Sequence, residues 1–145
     1  MIELGKLGRK TGAGWYRYPG GKGKVEDPIV ADLAKEEAHF VGRTRTDHAP
    51  ADIRNRLLLE IINEAANILY EAIAQSARYI DIVTLSGYGF PRWHGGLAQY
   101  ADSLGVQAIV RKLEVLAKED PIACQIIPLL RACAKNGSTL ADYTA

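Results

Sequence analysis

The sequence is poor in cysteine, in net charge and in long apolar runs. It has two cysteines in 145 residues, and 18 Lys and Arg against 17 Asp and Glu give a formal net charge of +1. Two cysteines cannot build a disulfide framework, and a near-neutral chain lacks the positive field of a nucleic-acid-binding protein. No apolar run approaches the ~20 residues of a membrane-spanning helix. We therefore expect neither a nucleic acid nor a membrane as partner.

The composition is that of a globular protein with one core, with 48% hydrophobic and 24% charged residues. Residues 1–6 lack the apolar stretch of a signal peptide, and the two cysteines without a disulfide framework predict a reducing, cytoplasm-like compartment. The last residues, Asp142 to Ala145, differ from the Ser-Lys-Leu peroxisomal targeting signal, so a peroxisomal location is not expected.

The first 26 residues are predicted to form a basic, glycine-rich arm. Such a composition favours irregular structure, with at most a short extended piece closed by the turn at Pro19 to Gly21. A phosphate-binding loop is not predicted. Arg9 stands where a phosphate loop needs glycine before its lysine, and Arg17 and Arg92 stand where dinucleotide fingerprints need their third glycine.

From Asp27 onward the periodicity is helical. Asp27 is a candidate N-cap with Pro28 in the first turn, and Gly42 ends this helix. The strongest pattern is a second helix of about 25 residues, roughly 37 Å long, with Thr46 or Asp47 as its cap and Pro50 in its first turn. Its predicted apolar face comprises Ile53, Leu57, Ile61, Ala65, Ile68 and Ala72 and is widened by Leu58, Ile62 and Leu69. Its predicted polar face comprises Asn55, Arg56, Glu60, Asn63, Glu64, Asn67 and Glu71.

Shorter helices are predicted in the rest of the chain. They begin after Ser76, near Leu97 and near Val106, and the last carries Ile126, Ile127, Leu129, Leu130 and Cys133. No strand pattern of usable length occurs. The fold class is therefore all-α: a single domain of five or six helices around one long helix, with arm 1–26 and helical domain 27–145.

Few side chains form a pattern with its own chemistry. His39, His48, His94, Cys124 and Cys133 lack partners at metal-ligand spacing, and no serine or cysteine lies in a nucleophile turn. We predict no catalytic, cofactor-binding or metal-binding residue. The amides on the polar face of the long helix are open to two interpretations. They are a solvated surface or caps for neighbouring loops, or they are groups that orient a substrate.

Three stretches, in this order, resemble the C-terminal region of 3-hydroxyacyl-CoA dehydrogenases. Gly8 to Tyr16 is similar to the family's Gly-(Arg/Lys)-Lys-Thr-Gly-x-Gly-Phe-Tyr segment. Asn55-Arg56 with Asn63-Glu64-Ala65 resembles its Asn-Arg and Asn-Glu-Ala helix. Residues 81–96 resemble its Asp-Ile-Asp and Gly-x-Gly-Phe-Pro loop. The length of the segment 91–96 is similar to the second helical copy in multifunctional fatty-acid-oxidation enzymes, which join an enoyl-CoA hydratase to the dehydrogenase.

The resemblance implies a helical domain like the C-terminal domain of 6-phosphogluconate dehydrogenase, within an NAD-dependent enzyme of β-oxidation. NAD would bind to a domain that these residues do not contain, so the chain is expected to be inactive alone. It would pack against the NAD-binding and first helical domains and buttress the acyl-CoA cleft. Asn55, Arg9 and Lys10 are the candidate substrate-binding residues. An exposed apolar helix face predicts a homodimer, and a bacterial cytoplasm is the expected location.

A second hypothesis is a stand-alone basic module that binds CoA or another phosphorylated ligand. Basic side chains can hold phosphates without a formal motif. The residues involved would be Arg9, Lys10, Lys22, Lys24, Arg43 and Arg45. A steep loss of affinity with salt would favour this hypothesis. RNA binding by the same arm is a poorer interpretation, because acidic residues elsewhere cancel its positive field.

Overall fold

The computed structural model describes residues 1–121 and 124–144. The chain divides into two compact units, Met1–Asp47 and His48–Ala145. The first helix thus groups with the basic arm, while the domain boundary at residues 26 and 27 stays a prediction. None of the helices in the described ranges is long and apolar enough to cross a bilayer.

The first unit contains a two-stranded antiparallel ladder. Strand β1 (Tyr16–Arg17) pairs with β2 (Val25–Glu26), with Tyr16 opposite Glu26. A 3-10 turn at Pro19–Gly21 lies between the strands, and both of its glycines have positive φ. The expected short extended piece with its turn is confirmed.

Helix α1 (Pro28–Phe40) follows the ladder directly. The carboxylate of Asp27 accepts a hydrogen bond from the Ile29 amide at 3.3 Å and an ion pair from Lys6. The side-chain hydrogen bond from Lys6 lowers the pKa of Asp27 below its ordinary value. The predicted N-cap is confirmed, and Lys6 fixes the arm to the start of α1.

The second unit is a bundle built around α2 (Pro50–Tyr70). The other helices are α3 (Ala77–Gly87), α4 (Leu97–Leu104), α5 (Val106–Glu119) and α6 (Pro128–Asn136). Helix α2 packs against α4, α5 and α6, while α3 packs against α4 and α5 packs against α6. The largest fully buried side chains are Ile62, Leu69, Ile109, Leu113, Leu130 and Leu140. The all-α class around one long helix is confirmed.

The boundaries of two helices differ from the sequence prediction. Helix α2 has 21 residues and begins at Pro50, so its N-cap is Ala49 and not the predicted Thr46 or Asp47. It ends at Tyr70, since Ala72 adopts a left-handed conformation (φ 56°) and the Ile73 amide bonds back to the Ile68 carbonyl at 3.0 Å. Helix α6 begins only at Pro128, because a residue before proline favours extended backbone. Ile127 has φ −65° and ψ 137°, so Ile126 and Ile127 precede the helix.

The chain after α6 closes the core. Leu140 is fully buried. The carboxylate of Asp102 on α4 accepts hydrogen bonds from the amides of Leu140 at 2.8 Å and Ala141 at 3.1 Å. The tail is therefore a structural part of the bundle.

Candidate functional site

Helix α2 is apolar on two sides, and the structure buries one of them. The residues that α2 buries are Leu59, Ile62, Asn63, Ala65, Ala66 and Leu69. Of the predicted apolar face, Ile62, Ala65 and Leu69 are buried, but Ile53, Leu57 and Ile61 are exposed. The sequence pattern did not separate these two groups, because a hydrophobic period does not distinguish the face that meets the core from one that meets another partner.

We call Ile53, Leu57 and Ile61 the α2 stripe. They recur every four residues, so they lie on one face and span roughly 12 Å of helix. Leu57, in the middle of the stripe, is 61% exposed. A row of large aliphatic side chains on the face of a helix opposite its buried side is typical of a protein interface.

Asn63 lies in the core, so a solvated surface is the wrong interpretation for this residue, and the interpretation as a cap of a neighbouring loop is confirmed. Its side-chain nitrogen donates to the carbonyl of Gln125 at 2.9 Å, and its oxygen accepts from the amide of Ile127 at 3.1 Å. The amide group thus satisfies two backbone groups of the segment that leads into α6. Its role in the described structure is to hold this segment against α2.

The three candidate substrate-binding residues divide between the two units. Arg9 and Lys10 occupy one exposed 3-10 turn, Arg9–Thr11, in the first unit. The Arg9 guanidinium lies 5.4 Å from the centroid of the Tyr18 ring. Asn55 is exposed on α2 in the second unit. Arg9 and Lys10 are thus neighbours on one turn, while Asn55 belongs to the other unit. The substrate-binding role of these three residues stays a prediction.

Next to the α2 stripe, Arg56 forms an ion pair with Glu119 at the end of α5. The distance between Arg56 Nη1 and Glu119 Oε2 is 2.6 Å. This hydrogen bond raises the pKa of Arg56 and lowers the pKa of Glu119. Because both groups are accessible to water, the pair adds little stability. It orients Arg56 beside the exposed face.

The loop at 87–96 is positioned by side chains of α3 that cap α4. One carboxylate oxygen of Asp81 accepts from the amides of Ala98 at 2.7 Å and Gln99 at 3.2 Å, and the Thr84 hydroxyl accepts from Leu97 at 3.3 Å. Burial raises the pKa of Asp81 above its ordinary value, against the opposing effect of the two amides. The local sequence of α4 gave no cap signal, because the capping residues lie 13 to 18 positions earlier.

Aromatic rings connect this loop to α4. The His94 and Tyr100 ring centroids are 4.3 Å apart, and Phe90 lies 5.9 Å from Tyr100. Trp93 is 83% exposed. The His94 ring is therefore held in an aromatic cluster.

The side chains of residues 1–121 and 124–144 form neither a reactive cysteine nucleophile nor a metal centre. Both cysteines are buried, and burial, followed by the neighbouring Glu60, raises the pKa of Cys124 to about 11. Such a thiol is unreactive near neutral pH. The described residues contain no group of three or more His, Cys, Asp or Glu able to hold a metal ion.

The fold is an all-α domain in which side chains of α3 cap α4 at the end of a glycine-rich loop. One apolar face of α2, the α2 stripe, is exposed. Residues 53–140 match the family described as 3-hydroxyacyl-CoA dehydrogenase, C-terminal domain. The chain belongs to this family, as the sequence resemblance indicated. The matched range lies wholly within the second unit.

Relatives extend the similarity to nearly the whole chain. It is 37% identical, over 95% of its length, to the peroxisomal bifunctional enzyme of Homo sapiens, of which it covers 20%. It is 36% identical, over 94% of its length, to the fatty acid oxidation complex subunit alpha of Idiomarina loihiensis, of which it covers 19%. The chain therefore spans about a fifth of the length of these relatives.

Proposed function

We propose that this chain is the C-terminal helical domain of an NAD-dependent 3-hydroxyacyl-CoA dehydrogenase of fatty acid β-oxidation, of the multifunctional kind. Family membership and the names of the bifunctional and fatty-acid-oxidation relatives support this proposal. NAD and the acyl-CoA substrate belong to the whole enzyme. The domain itself acts as an interface and as a buttress of the acyl-CoA cleft.

The observation that carries the interface role is the α2 stripe. Its three aliphatic side chains are exposed on the helix that also forms the centre of the bundle. Covering them with another helical surface removes apolar area from water, at about 25 cal/mol per Å². In the whole enzyme the proposed occupants are the NAD-binding and first helical domains. In the isolated chain, a second copy takes their place and gives a homodimer.

Two measurements on the purified chain test this function. Sedimentation velocity over a concentration series should show a dimer whose share grows with concentration, and a strictly monomeric species at high concentration would contradict the interface role. Incubation with a 3-hydroxyacyl-CoA and NAD should give no NADH. Turnover would show that the chain carries the reaction centre itself.

Asn55, Arg9 and Lys10 are the proposed contacts to the acyl-CoA substrate in the whole enzyme. Their exposure leaves them accessible for such contacts. We also propose that residues 1–26 are a linker arm and 27–145 the helical domain.

A bacterial cytoplasm is the proposed location of the protein. The bacterial relative supports this location, whereas the peroxisomal relatives favour the peroxisome. Fluorescence microscopy of a tagged full-length protein distinguishes the two compartments.

The charge of the arm supports a second candidate function, a basic module for CoA or another phosphorylated ligand. Residues 1–27 contain six basic and three acidic side chains, whereas the remaining residues carry a formal charge of −2. Binding of a phosphorylated ligand by this arm should weaken steeply between low and moderate salt. Binding that does not change with salt would rule this module out.

A further inference from the structure

The first unit contains a groove between the arm and α1. Trp15, Tyr16 and Tyr18 form one wall, while Pro28, Ala31 and Ala34 of α1 lie on the other side. Its volume is about 750 Å³, within the ~300–1,000 Å³ range of small-molecule sites. Aromatic rings opposite small side chains leave room for a planar group.

The indole that lines this groove is accessible to a ligand. Trp15 is 69% exposed, although Gly14 next to it is buried and packs closely against the backbone of Gly8. The backbone that carries the indole is therefore anchored, while the ring itself faces open space. An exposed, anchored aromatic ring is a suitable stacking surface for a base.

Two cations lie against rings of the same wall. The Lys24 ammonium is 3.9 Å from the centroid of the Tyr16 ring, and Arg9 lies over Tyr18. In the described part of the chain, neither cation belongs to an ion pair, and cation–π contact holds each one against a ring that lines the groove. A phosphate group is a suitable counter-charge for each of them.

The acidic side chains of the groove are compatible with a phosphorylated base. Asp27 is neutralised by Lys6 and is occupied as the N-cap of α1. Glu26 also lines the groove, and its carboxylate can accept a hydrogen bond from an exocyclic amino group. The groove thus combines a stacking ring and an acceptor for an amine, and two cations that can bind phosphate lie against rings of its wall.

We propose that this groove binds the phosphorylated adenosine end of a nucleotide cofactor, with adenine stacked on Trp15 and the phosphates at Lys24 and Arg9. The proposal rests on the second candidate function, which assigns phosphate binding to the arm, and adds recognition of the base. It is independent of the interface role of the α2 stripe. CoA and NADH both contain phosphorylated adenosine, and the experiment distinguishes them.

The test is calorimetric titration of the intact chain with ADP, inorganic pyrophosphate and adenosine in separate experiments. ADP should bind more tightly than either part alone. Trp15→Ala should weaken ADP binding about tenfold, in line with the ~1–3 kcal/mol of base stacking. Trp15→Phe should retain most of the affinity, and Lys24→Gln should weaken binding and reduce its dependence on salt.

Two variants outside the groove are the matched controls. Trp93→Ala removes the other exposed tryptophan, and Lys112→Gln removes an exposed lysine of α5; both should change ADP affinity less than twofold. Parallel titrations with CoA and NADH identify which cofactor supplies the adenosine.

Two results would overturn the proposal. Equal affinity for ADP and pyrophosphate, unaffected by Trp15→Ala, would leave the basic module intact but remove base recognition. Absence of binding by all three probes at low salt would eliminate both the groove and the module, and would leave the interface function untouched.

Discussion

A side chain at position 96 would occupy the space of the Asp81 carboxylate. Gly96 has φ 116°, and a Cβ built on it would overlap the Cβ, Cγ and Oδ1 of Asp81. The same oxygen caps α4 through the amides of Ala98 and Gln99. Gly96 and Asp81, 15 residues apart, therefore act together to join α3 to α4. The glycine leaves the space that the aspartate carboxylate needs in order to cap α4.

Gly96→Ala should lower the free energy of unfolding by more than Gly105→Ala does. Both glycines have positive φ, so alanine costs roughly 1–3 kcal/mol of strain at each position. Only Gly96 adds an overlap with a neighbouring side chain, whereas a Cβ on Gly105 meets no atom within 4 Å. Urea denaturation of both variants measures the difference. Equal losses would show that Asp81 does not fill this space.

The pH dependence of stability should change in the variant Asp81→Asn. Because the pKa of Asp81 is raised in the folded state, the folded protein binds this proton more tightly than the unfolded chain does. The resulting stabilisation is present below the ordinary pKa of 3.8 and is lost as pH rises through the folded-state pKa. Asparagine keeps an acceptor for the α4 amides and does not titrate.

Urea denaturation of wild type and Asp81→Asn from pH 3.5 to pH 6 checks this sign. The stability of the variant relative to wild type should improve as pH rises. A relative stability that falls over the same range would mean that the folded state favours the ionised carboxylate.

Asn63→Ala should lower the free energy of unfolding by about 2–6 kcal/mol. The substitution leaves the Gln125 carbonyl and the Ile127 amide without their partner, and each unsatisfied buried group costs about 1–3 kcal/mol. Asn55→Ala is the control on the same helix, since Asn55 is exposed, and should change stability by less than about 0.5 kcal/mol. Similar small effects in both variants would contradict the buried role of Asn63.

Ala72→Gly should stabilise the protein by about 0.5–1 kcal/mol. Ala72 is the one non-glycine residue with positive φ in the described chain, and glycine adopts this conformation without steric cost. Thermal unfolding measures the shift. Ala108→Gly, inside α5, is the control, and it should destabilise by about 0.5–1 kcal/mol because its backbone is helical. A loss of stability in Ala72→Gly would contradict the left-handed turn.

The sequence predicted the features that depend on neighbouring residues. Asp27 before Pro28 marks the start of α1, and the glycine at 105 separates α4 from α5, so both boundaries were found. Features that depend on distant residues were not found. Asp81 caps a helix that begins 16 positions later, and Asn63 reaches a segment 62 to 64 positions away.

The side of α2 that the bundle buries could not be predicted for a different reason. Ile53, Leu57 and Ile61 give as clear a helical period as Leu59, Ile62 and Leu69 do, and the pattern contains no information on which surface is covered by the same domain. Whole-chain resemblance, by contrast, identified the family, because three separated motifs occur in a fixed order.

Sedimentation equilibrium of two glutamate variants tests most directly whether the α2 stripe is an interface. Leu57→Glu places a charge in the stripe, while Val115→Glu does the same on α5 at a residue of similar exposure, 56% against 61%. The dimer dissociation constant should rise at least tenfold in Leu57→Glu and less than twofold in Val115→Glu, because burying an unpaired charge costs several kcal/mol. An unchanged dissociation constant in Leu57→Glu would contradict the claim.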